Sequence, residues 1–222
     1  MENSYTKIYY NEEVRPYSNY SWLLCQHLAD KYYKARSGKL LDVGCGRGEH
    51  VDIFNKLGFD AYGIDLEATK PKTKRVDLET EKIPFPDNYF DFIMSKSNIE
   101  HIRNVYHLMK EMRRVLKPGG KIVIMTCDWE TVNKIFYWDV DHKTPFTRCS
   151  LNEFLLRYDF KNVKTDYFFC LPYTWKSKFL HIFPLIVRNI FRIDFEPMTK
   201  LNLVVKQIKF SREKQIIGYG EK

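Results

Sequence analysis

Gly44, Gly46 and Gly48 stand at alternate positions directly after the apolar run Leu40-Leu41-Asp42-Val43, and Asp65 follows the last of them by seventeen residues. Closely spaced glycines let a chain leave a buried strand, turn sharply and approach a ligand more closely than side chains allow. The helix that opens at Glu49-His50 presents free N–H groups and the positive end of its dipole to the same place, which suits a carboxylate or phosphate. Asp65, closing a second apolar run from Ala61, is placed to accept hydrogen bonds from two ribose hydroxyls, or merely to cap a loop. His101 and His142 are the candidate acid–base groups, because imidazole changes charge near neutral pH; either can instead be structural.

These groups need a scaffold of alternating strands and helices, which implies a parallel sheet covered on both faces. Tyr20, Leu23, Leu24, His27 and Leu28 recur at helical spacing before the first strand, and Val51, Phe54 and Leu57 after it. Val105, Leu108, Met109, Met112, Val115 and Leu116 form another apolar stripe, with Asn104 as its cap. Ser150-Leu151-Asn152-Glu153 reads as a capping box. Residues 163–169 and 203–210 read as closing strands, and 211–222 as a frayed tail. His101 then follows the fourth strand, and His142 lies in a loop after the fifth. Both fall on the rim where open α/β sheets bind ligands.

The glycine order decides between cofactors. A dinucleotide fingerprint needs G-x-G-x-x-G, and Glu49 stands where its third glycine belongs. The stretch Asp42, Gly44, Gly46, Gly48 instead resembles motif I of the class I S-adenosylmethionine-dependent methyltransferases. Three later segments resemble the same family in the same order: Asp77-Leu78-Glu79 through Ile83-Pro84-Phe85-Pro86-Asp87 to Met94, then Ser97-Asn98-Ile99-Glu100-His101-Ile102, then Leu116-Lys117-Pro118-Gly119-Gly120. The resemblance is close over residues 38–127 and holds only in outline elsewhere; the segment after Asp77 is two residues longer here.

That resemblance implies a Rossmann-like α/β fold whose seven-stranded, mostly parallel sheet has an antiparallel last strand, and S-adenosylmethionine as cofactor. It implies a cofactor set of Asp42, Gly44, Cys45, Gly46, Gly48, Asp65, Leu66, Asp77, Leu78 and Ser95. Within it Asp42 supports the glycine loop and Leu78 packs on the purine. Asp77 accepts from the adenine amine, with Glu79 and Asp87 as alternatives in the same segment. Cys45 is a small, soft filler rather than a nucleophile. In this family the first segment often folds over the cofactor, which makes Tyr5, Tyr9, Tyr10, Tyr17 and Tyr20 candidate neighbours of the sulfonium, or ordinary packing. Some relatives bind a divalent ion through E-x-x-E-H and a distant histidine; here Ser97 replaces the first glutamate, so no metal is expected. The [ND]-P-P-[YF] motif for amide and exocyclic amines and the Pro-Cys pair of C5-pyrimidine methylation are both missing.

Composition is compatible with one core: 222 residues, 44% hydrophobic and 16% aromatic. The expected organisation is a single methyltransferase domain over 1–222, with an N-terminal cap (1–37), a cofactor-binding core (38–127), substrate-side loops and insertion (128–202), the closing strand (203–210) and the tail (211–222). Five cysteines without C-x-x-C spacing fit a reduced interior, and the N-terminus shows no apolar leader core, so a cytoplasmic setting is expected. The net charge of +8 is spread along the chain, which leaves nucleic acid a minor partner. Residues 173–192, apolar, aromatic and basic, read as a lid or as a surface touching membrane or lipid-linked substrate.

The function expected is methylation of a small molecule, with O-methylation of a sugar or activated sugar-like precursor favoured. A weaker likeness points to bacterial surface-glycan pathways, so a glycan or lipid-linked acceptor and peripheral membrane contact are both entertained. An RNA or polyanion methyltransferase, and a non-catalytic cofactor-binding module, are the alternatives.

Overall fold

A computed structural model describes residues 19–184, 186 and 214–222. Its elements are α1 (Asn19–Leu28, continued by a π-helical turn Ala29–Tyr33), β1 (Lys39–Val43), α2 (Glu49–Lys56), β2 (Asp60–Asp65), β3 (Thr73–Arg75), β4 (Phe90–Lys96), α3 (Val105–Val115), β5 (Leu116–Cys127), α4 (Trp129–Val132), α5 (Arg148–Arg157), β6 (Lys161–Phe169) and β7 (Lys214–Glu221). The strands form a seven-stranded sheet in the order β3-β2-β1-β4-β5-β7-β6. β3, β2, β1, β4 and β5 pair in parallel, and β7 runs antiparallel to both β5 and β6. The fold is therefore the Rossmann-like one expected, with its strand order reversing between β1 and β4. A crevice opens outside the carboxyl ends at such a reversal.

Side-chain alternation builds a core on each face. Leu41, Val43, Ile122 and Ile124 face one cluster with Met109, Met112 and Phe90. Leu40, Val123 and Met125 face the other, with Leu24, Leu28 and Phe54. Asn104 caps α3, its side chain accepting from the His107 N–H at 3.2 Å. Among the described residues no helix is long and apolar enough to cross a membrane.

Two sequence readings need correction. The helix expected to begin at Ser150 begins three residues earlier: Thr147 is the N-cap and Ser150 closes the box from the third position, each side chain accepting from the other's N–H. The stretch expected to fray, 211–222, contains β7, hydrogen-bonded on both sides. Gly218 and Gly220 made it look like loop, yet they are packing sites. A Cβ at Gly218 would lie 2.9 Å from Leu151, and one at Gly220 2.9 Å from Phe160. Residues 203–210, and Tyr5, Tyr9, Tyr10 and Tyr17, lie outside the described residues.

Candidate active site

β1 ends at the glycine turn. Gly44 and Cys45 both donate to the Ile64 carbonyl, at 2.9 and 3.1 Å, which ties the turn to β2. Gly44 has φ +76°, and a Cβ there would lie 2.3 Å from Asn98 Cγ, so only glycine fits. Gly46 has φ +51° with nothing within 4 Å of where a Cβ would be: the turn opens onto free space at that position. Asp65 stands beside it. Its Oδ2 accepts from Gly46 N–H at 2.8 Å and its Oδ1 from Glu67 N–H at 3.0 Å. Burial raises its pKa, against those two amides, which lower it. Asp42 lies behind the turn, 1% exposed, with Oδ2 lacking a hydrogen-bond partner and His50 Nδ1 at 3.7 Å.

The remaining residues of the expected cofactor set divide. Ser95 is buried on β4 directly beside Val43, and its Oγ accepts from Asn98 at 3.4 Å. Val76 N–H donates to the Asp65 carbonyl at 3.0 Å, bringing Asp77 to the same rim with Leu78 buried next to it. Asp77 accepts from Glu79 N–H and Thr80 Oγ1 at 2.9 and 3.0 Å. Its two rivals are engaged elsewhere: Glu79 accepts from the Arg103 and Asn104 amides at 2.9 and 2.8 Å, and Asp87 pairs with Arg114 at 2.7 Å. Leu66 is 51% exposed. Burial pushes the Cys45 thiol pKa up, reinforced by the charges of Asp42 and Asp65, which fits a filler and not a nucleophile. Asn98, whose side chain fills the space a larger residue at Gly44 would need, was not singled out from sequence; no local pattern signals it.

The other half of the rim is assembled from distant segments. His101 sits in a 3-10 turn, Ile99–His101, after β4. The Glu100 carbonyl accepts from Lys143 and Thr144 amides at 2.7 and 3.0 Å, and Thr144 Oγ1 donates to the Ile102 carbonyl at 2.6 Å. These bonds clamp the loop after β5 against the turn and bring the His142 ring to 4.7 Å from that of His101. His142 Nδ1 lies 2.7 Å from the Phe136 carbonyl. A carbonyl only accepts, so Nδ1 carries a proton, while Nε2 lies 3.9 Å from Asp139 Oδ2. Glu100 is buried, with Oε2 accepting from Thr126 Oγ1 at 2.9 Å. Donor atoms of Glu100, His101 and His142 lie within 4.8 Å of one another, a carboxylate and two imidazoles that can hold a divalent ion. The loss of a glutamate at Ser97 thus does not remove the remaining donors. Tyr137 and Trp138 stand exposed on the same loop.

S-adenosylmethionine fits the first half of this site. The free space over Gly46, the carboxylate of Asp65 at the rim and the unpartnered Asp42 oxygen behind the turn offer acceptors for hydroxyls and an amino group and room for the chain between them.

Comparison with known proteins agrees. A family profile described as "Methyltransferase domain" matches residues 19–165. Sterol 4-C-methyltransferase strm-1 of Caenorhabditis elegans is 29% identical over 52% of this chain and 40% of its own length. The ubiquinone/menaquinone biosynthesis C-methyltransferase UbiE of Burkholderia mallei is 28% identical over 45% of this chain and 48% of its own. The matched stretch thus spans about half of these relatives. Among solved structures, an S-adenosylmethionine-dependent methyltransferase from Archaeoglobus fulgidus superimposes with a TM-score of 0.64 over 99% of this chain and all of its own, at 21% identity. Phosphoethanolamine N-methyltransferase 2 of Haemonchus contortus, solved with S-adenosyl-L-methionine, gives a TM-score of 0.62 over 98% of this chain and 58% of its own, at 17% identity. With glycine turn, rim carboxylate and strand order all in place, the chain belongs to the methyltransferase-domain family, of the class I, S-adenosylmethionine-dependent kind.

Proposed function

We propose that this chain methylates a hydroxyl oxygen of a small molecule, with a sugar or activated sugar-like acceptor, free or lipid-linked, favoured. The observation that carries the reading is the His101–His142 pair on the carboxyl rim, with His142 oriented through its Nδ1 by the Phe136 carbonyl. A hydroxyl is a poor nucleophile until its proton is taken, and a neutral imidazole is the side chain suited to take it near neutral pH. S-adenosylmethionine, when bound, supplies the electrophilic methyl group. Asp65 accepts from the ribose hydroxyls, Asp77 from the adenine amine, Leu78 covers the purine, and Asp42 supports the glycine turn over which the amino-acid end lies. Their work is alignment, which accounts for much of the acceleration in an in-line displacement. Tyr137 and Trp138 present exposed rings on which the C–H face of a sugar can stack. That relatives are named for a sterol and for quinone biosynthesis supports a small-molecule acceptor.

The test has two stages. Calorimetry should show S-adenosylmethionine binding to the folded chain, and binding that is missing or indifferent to Asp65→Ala overturns the cofactor site. Release of S-adenosylhomocysteine is then measured across hydroxyl-bearing sugars and nucleotide sugars. With the acceptor that turns over, His142→Gln should slow the reaction by about 10²–10⁴-fold and leave cofactor affinity unchanged. A second reading rests on the same cluster, in which Glu100, His101 and His142 hold a divalent ion that positions the acceptor oxygen. Under that reading a chelator abolishes turnover and added metal restores it; under the first, a chelator has no effect.

A further inference from the structure

The exposed large apolar side chains are unevenly distributed. Among the described residues, only Leu23, Tyr106 and Leu156 of them lie on the sheet-flanking helices α1, α3 and α5. The rest sit on connections that leave the carboxyl ends of β2, β5 and β6, the edge onto which the glycine turn and the histidine pair open. The densest group follows β6. Its root is anchored: Trp175 donates through Nε1 to the Phe169 carbonyl at 2.8 Å, stacks on Phe168 and meets Tyr20 edge-on, while Thr174 and Pro184 are buried. From that root Phe179 (76% exposed), Ile182, Phe183 (55%) and Ile186 project outward. Apolar side chains held out by a fixed root form a contact surface.

Charge indicates the partner. Between Asp166 and Asp194 the sequence contains no acidic residue but carries Lys176, Lys178, Arg188 and Arg192. A sequence in which apolar residues alternate with cations and no acid intervenes matches in composition the headgroup boundary of an anionic bilayer, where rings enter the acyl region and cations meet phosphates.

We propose that the segment after β6 docks the carboxyl rim onto the anionic face of a lipid bilayer, so that the acceptor is an amphiphile presented from that bilayer. The inference rests on the methyl-transfer reading of the same rim and narrows its acceptor class. Phe179, Phe183, Tyr137 and Trp138 are exposed on connections that leave the same edge of the sheet as the turn bearing Asp65 and the loop bearing His142.

The full chain is floated with phosphatidylglycerol–phosphatidylcholine vesicles and with phosphatidylcholine vesicles, with and without high salt. Binding is expected to be at least about tenfold stronger on the anionic vesicles and to weaken with salt. Phe179→Asp/Phe183→Asp should lower it by a further tenfold or more, while Leu156→Asp on α5 changes nothing and all three proteins melt alike and bind S-adenosylmethionine alike. No flotation of the parent chain, equal loss from Leu156→Asp, or loss of cofactor affinity with the phenylalanine pair would each overturn the proposal. So would a vesicle-free oligomer that the phenylalanine substitutions dissolve, since the face would then join two copies of the chain. The two readings fail separately: a chain that binds cofactor but never floats loses only its membrane, and one that floats without binding cofactor loses its methyl transfer.

Discussion

The half of the rim around β1 and β2 and the half beyond β4 and β5 are built on different principles. In the first, backbone amides meet oxygen acceptors about twenty positions away through one turn: Gly46 N–H donates to the Asp65 carboxylate, and Gly44 and Cys45 donate to the Ile64 carbonyl. In the second, rings from segments far apart in sequence are brought together by a few bonds. His101 meets His142 because the Glu100 carbonyl holds Lys143 and Thr144, and Trp175 meets Tyr20 and Phe168. A binding function common to a family is carried by local backbone geometry, which tolerates wide sequence change around it. The side chains of the second half stand on long connections, which can be exchanged without disturbing the sheet.

The largest effect expected is on the second half alone. His142→Gln should cut turnover by two to four orders of magnitude without moving the affinity for S-adenosylmethionine; a parallel loss of affinity would erase the division. Gly44→Ala attacks the first half and the sheet together, because left-handed backbone and a clash with Asn98 coincide. A loss of about 2–5 kcal/mol in stability is expected by thermal or denaturant unfolding. Gly46→Ala meets no atom within 4 Å, so its cost in stability should be only the backbone term, about 1–2 kcal/mol, while its methyl enters the cofactor's space. Calorimetry and melting on the two variants separate scaffold from cradle. Asp65→Ala should weaken S-adenosylmethionine about 10- to 100-fold, the equivalent of one or two charge-assisted hydrogen bonds.

The aromatic seam of the second half gives a pH signature. His27, among Tyr32, Phe168 and Trp175, is held neutral by burial, with its pKa lowered to about 4 and the charge of Lys31 contributing further. Its folded pKa lies below its unfolded one, so the unfolded chain binds the extra proton between pH 4 and 6.5. Stability from this residue is complete above pH 6.5 and is lost as pH falls through that window. Denaturant midpoints measured from pH 4 to 7 should flatten in His27→Leu. Smallest is Thr147→Ala, which should cost about 1 kcal/mol through the lost cap of α5 and leave cofactor affinity alone.

The reach of sequence reasoning follows the same division. The glycine turn, the carboxylate of Asp65 beside it and the Asn104 cap were legible because each is written within a short window whose spacing carries the geometry, while the seven-stranded sheet with its antiparallel last strand followed from the family resemblance. β7 was misread because Gly218 and Gly220 normally mark loops; their role as seats for Leu151 and Phe160 exists only after α5 has packed. The Thr147 box was missed in favour of Ser150 because both residues belong to it, and which is the cap depends on where the preceding backbone turns. Asn98 carried no local signal.

By itself, the sequence determined a class I methyltransferase sheet, the glycine turn after its first strand and a pair of histidines on the rim. Folding decided that those histidines, 41 positions apart, touch; that Glu79 and Asp87 are spent on other bonds, leaving Asp77 at the rim; and that one group of rings after β6 is anchored at its root and bare at its tip. The reason is physical: backbone conformation answers to neighbours a few residues away, whereas the meeting of side chains answers to which surfaces the whole chain has buried.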